Sequence, residues 1–92
     1  MNNKSAFAQI NYLLSEEKAS EAKAEFDKLE KDSSVEYLLT EGKIEQKFQN
    51  WSKAINAYNQ VLLIDPDNQE AENNLHLIKN ILNFWNPEMF NP

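Results

Sequence analysis

The chain of 92 residues has no cysteine and no arginine, and it has only one glycine. Without cysteine it can form neither disulfide bonds nor thiolate metal sites, and thiol catalysis is excluded. Its nine cationic residues are scattered singly and its net charge is −6, whereas binding to nucleic acid or to an anionic membrane needs a clustered basic face. We therefore expect neither nucleic acid nor a membrane among its partners.

Long apolar runs are also missing from the sequence. No stretch approaches the roughly 18 apolar residues of a transmembrane helix. The opening segment, MNNKSAFAQINYLL, lacks an uninterrupted apolar run followed by small residues, so it does not resemble a signal peptide. The resulting expectation is a cytoplasmic location.

What the sequence does contain is typical of an all-helical protein. Glu, Lys, Leu and Ala are abundant, and all four favour helices. Apolar residues recur three or four positions apart, and they predict helices over about residues 4–15, 17–31, 35–48, 51–64 and 69–84. Ser33 or Ser34 is expected to cap the third helix and Asn50 the fourth.

The stretch from Val35 to Asn68 contains two of these helices and the single glycine of the chain. Gly42 lies inside the first of the two, where it costs about 1 kcal/mol relative to alanine. Such a cost needs a packing reason. We therefore expect another helix to cross closely at Gly42, which should face Ala54 or Tyr58.

Gly42, Ala54, Tyr58 and Pro66, in this order within a unit of 34 residues, resemble the tetratricopeptide repeat (TPR). The resemblance implies an all-α, TPR-like solenoid of five antiparallel helices, stacked with a right-handed superhelical sense. It would consist of two hairpins and a C-terminal capping helix in one domain of residues 1–85. The parts are a degenerate repeat over about 4–33, a full repeat over 35–68, a capping helix over 69–85 and an apolar tail over 86–92.

The degenerate repeat is indicated by Ala22 and Phe26, which stand 32 residues before Ala54 and Tyr58. This offset is two residues short of a full period and points to a clipped loop at residues 32–34. Ile10 takes the place that glycine has in the full repeat. Terminal repeats are commonly atypical, because one of their sides faces solvent.

No set of residues points to catalysis. His76 is the only histidine and lies between Leu75 and Leu77, which favours a packing or surface role. The segment Asp65–Asn68 begins like a calcium loop, but the required glycine and distal glutamate are missing, and a turn that ends the repeat explains it. We therefore expect no enzyme activity, no metal and no cofactor.

Glu41 and Glu45 lie four residues apart on one helical face, where the family usually has Leu and Tyr. One interpretation is a solvated face, or salt bridges to lysines of the first hairpin. The other is a carboxylate pair that contacts a basic partner.

The resemblance implies a concave groove lined by the first helix of each repeat and by the capping helix. The residues expected there are Glu36, Leu39, Lys43, Gln46, Lys47, Asn73, Leu77 and Asn80. Lys43, Lys47 and Asn73 should be exposed on one shared face. Such a mixed surface suits an extended peptide or a helix, so the predicted function is a non-enzymatic protein–protein interaction module.

The expected groove lacks the residues with which one TPR subfamily binds its ligand. The chaperone-binding TPR subfamily grips a C-terminal carboxylate with a Lys/Asn/Arg clamp. This chain has no arginine, and Leu39 and Thr40 occupy clamp positions, so that subfamily is rejected. Lys43 and Asn74 leave weak anion capture open.

The end of the chain carries four large apolar side chains, Phe84, Trp85, Met89 and Phe90. Its Asn-Phe-aromatic-Asn stretch is similar to the tails of a group of small, uncharacterised bacterial TPR proteins. The tail is interpreted as a hydrophobic lid, or else as a linear motif or self-association patch. We expect Trp85 to be buried against Tyr58 and Leu62, with Phe90 docked loosely or held by a second molecule.

The alternative function is a structural protomer that associates with a second copy through the capping helix and the tail. In solution this predicts a monomer or a weak homodimer. The partner of the interaction module is another protein or peptide, which the residues do not identify.

Overall fold

The computed structural model describes the backbone of residues 4–85 and the side chains of residues 5–84. Within that range it is all-helical, with no strand, which confirms the predicted fold class at the level of all-α with five helices. The helices are α1 (Lys4–Ser15), α2 (Ala19–Asp27), α3 (Val35–Lys47), α4 (Trp51–Ile64) and α5 (Gln69–Trp85). None of these five combines the length and the apolar character that crossing a membrane requires.

Each helix packs against the next one in the chain, and α1 also packs against α3. Only three residues connect α1 to α2 and α3 to α4, and loops of this length join the two helices of an αα-hairpin. The fold is elongated, with extents of 45 × 28 × 18 Å.

The two short connections have the same backbone geometry. Glu17 and Gln49 adopt left-handed conformations, with φ of 61° and 60°. After α1, the Lys18 and Glu17 amides donate to the carbonyls of Leu13 and Leu14 at 2.8 and 3.2 Å. This is the Schellman motif, which satisfies the last carbonyls of a helix.

The same two bonds follow α3. There the Asn50 and Gln49 amides donate to the carbonyls of Glu45 and Gln46 at 2.8 and 3.0 Å. Both hairpins therefore turn by the same device, at positions 32 residues apart in the chain.

Helix α2 is shorter than predicted: it covers residues 19–27 rather than about 17–31. The left-handed Glu17 belongs to the turn, which delays the start of the helix. At the other end, Leu29 is partly buried while Glu30 to Ser34 are exposed. A further helical turn there would bury almost no apolar surface, and such burial is the main source of helix stability in proteins.

Among the described residues, side-chain caps begin two of the helices, α3 and α5. The Ser34 hydroxyl accepts a hydrogen bond from the Tyr37 amide at 3.2 Å, which confirms Ser34 as the cap of α3. The Asn68 side chain likewise accepts from the Ala71 amide at 2.9 Å, at the start of α5. Asn50 is the N-cap residue of α4, as predicted, but its side chain makes no capping bond and its amide donates instead to Glu45 Oε1 at 2.7 Å.

Helix α3 separates two clusters of buried side chains and contributes to both. The first cluster joins α1 and α2 to α3, and it includes the tilted ring pair of Phe26 and Tyr37 at 4.7 Å between centroids. The second joins α3 to α4 and α5. Its buried members are Leu38, Ala54, Tyr58, Val61, Ala71, Leu75 and Ile78.

Gly42 lies where the backbone of α3 closely approaches Tyr58 of α4. A Cβ atom built on Gly42 would be 2.6 Å from Tyr58 Cε1 and 2.8 Å from Tyr58 Cζ. These separations are far shorter than van der Waals contact. The prediction that Gly42 faces Tyr58 at a close crossing is therefore confirmed.

Candidate functional site

A groove of about 640 Å³ lies between α1, α3 and α5, and we call it the α1/α3/α5 groove. Its lining combines four side-chain amides, three charged groups, a hydroxyl and three apolar side chains. These residues are Asn11, Leu14, Ser15, Lys43, Gln46, Lys47, Gln49, Trp51, Glu70, Asn74 and Ile81. The lining is therefore rich in hydrogen-bonding groups and has two cations against one anion.

Three of the residues expected in a groove do line it, namely Lys43, Gln46 and Lys47. Glu36 is exposed outside the groove lining, and Leu39 packs against the second core cluster. The third helix of the groove, α5, presents residues other than those expected.

Helix α5 turns Glu70, Asn74 and Ile81 toward the groove instead of Asn73, Leu77 and Asn80. Its buried stripe, Ala71, Leu75 and Ile78, packs into the second cluster. At 100° per residue, Asn73 and Asn80 then point away from that stripe into solvent, whereas Asn74 and Ile81 lie beside it. Asn73 consequently does not share a face with Lys43 and Lys47.

Lys43 links all three helices of the groove. Its Nζ lies 2.6 Å from Glu70 Oε2 on α5 and donates to Asn11 Oδ1 on α1 at 3.2 Å. Because of these partners its side chain is only 27% exposed, less than the free exposure expected of a groove lysine.

Lys47 lies one turn further along α3 and is held less firmly. Its Nζ is 3.4 Å from both carboxylate oxygens of Glu17, and both side chains are exposed. An exposed pair of this kind contributes at most about 1 kcal/mol. Lys47 is therefore the groove cation that exchanges partners at the lower cost.

Gln46 of the groove lining is hydrogen-bonded to the core residue Tyr58. The fully buried Tyr58 donates from its hydroxyl to Gln46 Oε1 at 2.8 Å. Burial raises the pKa of this hydroxyl far above its ordinary value of 10.0, and the Glu70 carboxylate adds to the rise, while a hydrogen bond with Asn74 opposes it. The neutral hydroxyl thus orients the Gln46 amide within the groove.

Asn11, Leu14 and Ser15 were not anticipated from the sequence, although a signal for them is present. They stand 32 residues before Lys43, Gln46 and Lys47, the same offset that separates the two left-handed turn residues. Applying that offset to the expected groove positions of α3 would have found all three.

Glu41 and Glu45 are not part of the groove lining. Among the residues that the structure describes, no ion pair involves either carboxylate, so the predicted salt bridges to lysines of the first hairpin are absent there. Burial raises the pKa of Glu41, and the neighbouring Glu45 raises it further, while Lys31 and Lys53 lower it.

A second cavity, of about 390 Å³, lies between α4 and α5 on another side of the fold. It is lined by Leu62, Glu72, Asn73, Leu75, His76 and Lys79. His76 is exposed there. Over residues 4–85, no three His, Cys, Asp or Glu side chains come together as a metal site would require.

Most of the predicted tail contacts lie outside the described residues. This applies to Met89, Phe90 and the side chain of Trp85, and so to the predicted burial of Trp85 against Tyr58 and Leu62. Of the four tail residues only Phe84 has a described side chain, which is 79% exposed.

Comparisons with protein-family models, with curated proteins and with solved structures found no match to this chain.

Proposed function

We propose that this chain is a TPR-like, non-enzymatic interaction module that binds an extended peptide segment of another protein in the α1/α3/α5 groove. The observation that carries the proposal is the convergence of side-chain amides from three helices on one groove. Asn11 comes from α1, Gln46 from α3 and Asn74 from α5.

Side-chain amides suit an extended peptide because each offers two N–H donors and a carbonyl acceptor. The main chain of an extended peptide presents the same groups at regular intervals, unpaired with one another. Amides spread along a groove can thus bind a backbone with little regard to its sequence. The apolar lining of Leu14, Trp51 and Ile81 then selects the side chains that are accepted.

The TPR interpretation is supported by three features that recur 32 residues apart. They are the left-handed turn residues Glu17 and Gln49, the buried aromatics Phe26 and Tyr58, and the groove positions of α1 and α3. An internal repeat explains all three with one cause, since each repeat is one supersecondary unit stacked on the next.

The charges of the groove lining favour a peptide that carries a carboxylate. The chain carries a net charge of −6, yet the groove lining holds Lys43 and Lys47 against the single Glu70. A carboxylate on the peptide would therefore be attracted to the groove. Lys43 is held by Glu70 at 2.6 Å, whereas Lys47 has only the exposed Glu17 at 3.4 Å, so Lys47 is the cation expected to exchange its partner for the peptide carboxylate.

The test uses a displayed library of random 12-residue peptides, selected against the intact chain. Enriched peptides are then measured by titration against Lys47→Glu and against Asn74→Ala. We expect each change to weaken binding by at least tenfold, since an ion pair or two hydrogen bonds are lost. Lys79→Glu, an exposed lysine beside the second cavity, is the matched control and should leave affinity unchanged.

Two outcomes contradict the proposal. One is that no peptide is enriched above an unrelated helical protein. The other is that enriched peptides bind Lys47→Glu and Asn74→Ala as tightly as they bind the unmodified chain but lose affinity for Lys79→Glu, which would move the site to the second cavity.

A structural protomer that pairs through α5 and the tail is the second candidate function, and exposed apolar residues favour it. Leu77 on α5 is 48% exposed, and exposed apolar surface is typical of association sites. Sedimentation equilibrium tests it: a dimer that Leu77→Glu dissociates supports this candidate, and a monomer at every concentration removes it.

A further inference from the structure

We propose that residues 86–92 of the same chain are a ligand of the α1/α3/α5 groove and dock in it as an extended segment. The inference rests on the proposed function, because it assigns an occupant to the same groove. It adds that the module is regulated by its own tail, with which an external peptide has to compete.

Helix α5, which residues 86–92 follow in the chain, ends near the groove. Ile81 lines the groove and precedes the end of α5 at Trp85 by four residues, which is about 6 Å along the helix axis. Seven extended residues reach at most about 25 Å. Running back along α5, they could pass Ile81 and arrive at the level of Asn74, about 16 Å from Trp85.

The composition of residues 86–92, NPEMFNP, matches the lining. Met89 and Phe90 are large apolar side chains for the surface of Trp51 and Ile81. Glu88 supplies the carboxylate that Lys47 would receive. Two prolines limit the unfolded conformations of the segment, which lowers the entropy lost on docking.

The other available surface near the tail fits this segment less well. The second cavity has one anion and one cation, Glu72 and Lys79, in its lining, so it offers Glu88 no net attraction. The groove lining has an excess of one cation, Lys47, and Glu88 would displace its exposed partner, Glu17. Charge complementarity therefore favours the groove.

Because residues 86–92 are part of the same chain, even a weak affinity is sufficient for them to occupy the groove. A ligand on a short linker has an effective concentration of the order of 1 mM. An intrinsic dissociation constant of about 0.1 mM would then leave the groove occupied in roughly nine molecules out of ten. An external peptide would have to overcome this occupancy before it binds.

The absence of native cysteine allows a direct test on the full chain. Asn91→Cys is labelled with a nitroxide spin label, and paramagnetic relaxation is measured on the backbone amides by NMR. We expect the enhancement at Gln46, Lys47 and Asn74 to exceed that at Leu62 and His76 by at least threefold. The enhancement should not change with protein concentration.

Lys47→Glu and Lys79→Glu in the labelled chain form the matched pair. The first should reduce the enhancement at Gln46 and Asn74 at least twofold, and the second should leave it unchanged. Enhancement centred on Leu62 and His76, or none above the level of an unrelated exposed amide such as Asn59, overturns the inference.

Mixing spin-labelled chain with isotope-labelled, unmodified chain separates binding within one molecule from binding between two. Transfer of the groove enhancement to the unmodified chain would also overturn the inference, because the occupant would be a second copy. None of these failures affects the random-peptide result, so the proposed function is judged on its own experiment.

Discussion

The hairpin of α1 and α2 and the hairpin of α3 and α4 turn in the same way but are held together differently. Both turns use a left-handed residue with φ near 60° and the same pair of Schellman hydrogen bonds. Beyond the turn, the first hairpin has Ile10 where the second has Gly42, 32 residues later. The close approach of α4 to α3 at a residue without a side chain, Gly42, is therefore a feature of the second hairpin.

The same offset relates two further pairs of residues. Leu14 and Phe26 of the first hairpin correspond to Gln46 and Tyr58 of the second. In the second hairpin the pair is joined by a hydrogen bond of 2.8 Å. In the first, both members are buried in the same apolar cluster, and neither carries a hydrogen-bonding side chain.

The difference shows how an amide can be placed in the groove without altering the turn of the hairpin. Replacing an apolar pair by Tyr and Gln places an amide in the groove and keeps it oriented by a buried hydroxyl. The apolar pair packs in the core and, through Leu14, adds an apolar side chain to the groove lining. Four sets of substitutions test or sharpen this comparison, in order of decreasing expected effect.

Gly42→Leu introduces into the second hairpin the kind of side chain that Ile10 provides in the first. Because a Cβ atom alone would stand 2.6 Å from Tyr58, overpacking should lower the free energy of unfolding by about 1–3 kcal/mol. Denaturant titration measures it. Glu36→Leu, at an exposed position of the same helix, is the control and should change stability by no more than about 0.5 kcal/mol. Equal stability of Gly42→Leu and the unmodified chain would disprove the close crossing.

Tyr58→Phe removes the hydroxyl and leaves the Gln46 carbonyl without its donor, so we expect a loss of about 0.5–1.5 kcal/mol. Adding Gln46→Leu reproduces the Leu–Phe pair of the first hairpin. The double variant should lose less free energy of unfolding than the two single variants lose together, by at least about 0.5 kcal/mol. Strict additivity in this double-mutant cycle would mean that the hydrogen bond does not couple the two residues.

Glu17→Gly and Gln49→Gly test whether the two turns are equivalent. A non-glycine residue in the left-handed conformation costs roughly 1–2 kcal/mol, and glycine removes this cost. Glycine also has a greater entropy in the unfolded chain, which offsets part of the gain. Each change should therefore stabilise the chain by about 0.5–1 kcal/mol. Thermal unfolding of the single and double variants should show additive gains, with the smaller gain at Glu17 because Glu17→Gly also removes the exposed pair with Lys47. A gain at one site and a loss at the other would show that the turns differ in solution.

Glu41→Gln should give the smallest change, and its sign depends on pH. Burial and Glu45 raise the folded-state pKa of Glu41 above its ordinary value of 4.5. A carboxyl with a raised pKa contributes stability below its ordinary pKa and loses that contribution as pH rises through the raised value. Ionised Glu41 is consequently unfavourable at neutral pH, and the amide should stabilise the chain by up to about 0.5 kcal/mol after solvent screening.

Urea titrations at pH 7 and at about pH 4 separate this effect from a change in helix propensity, since the protonated carboxyl and the amide are both neutral. The gain of Glu41→Gln should disappear at the lower pH. Glu30→Gln, at an exposed carboxylate, is the control and should show no gain at either pH. A gain for Glu41→Gln that persists unchanged at pH 4 would contradict the role of charge.

The sequence predicted the helices well where apolar spacing and capping residues agree. Four of the five helices lie within one residue of the predicted bounds, and Ser34 caps α3 as expected. Helix α2 was predicted too long because Leu29 extends the apolar pattern, whereas the left-handed residue that delays its start is a glutamate. Glutamate carries no signal for that conformation, which favours glycine.

Of the residues expected in a groove, Lys43, Gln46 and Lys47 on α3 line the α1/α3/α5 groove, whereas the three expected on α5 do not. On α3, the contact between Gly42 and Tyr58 sets the rotation of the helix, and both residues are recognisable in the sequence. Helix α5 has apolar residues on several sides, so its spacing admits more than one buried stripe. Packing of Ala71 against the second cluster selects one of them and turns Asn74, rather than Asn73, toward the groove.

The sequence by itself determined the all-helical class, the number of helices and the close crossing at Gly42, because these depend on local spacing and on one residue without a side chain. Only the tertiary structure decided the rotation of α5, the bonding of Lys43 to both Glu70 and Asn11, and the Tyr58 hydrogen bond beneath the groove. Those features depend on which surfaces three separate helices bury together. The amino-acid sequence shows which apolar residues are available for burial. The packing of the helices against one another determines which of them are buried.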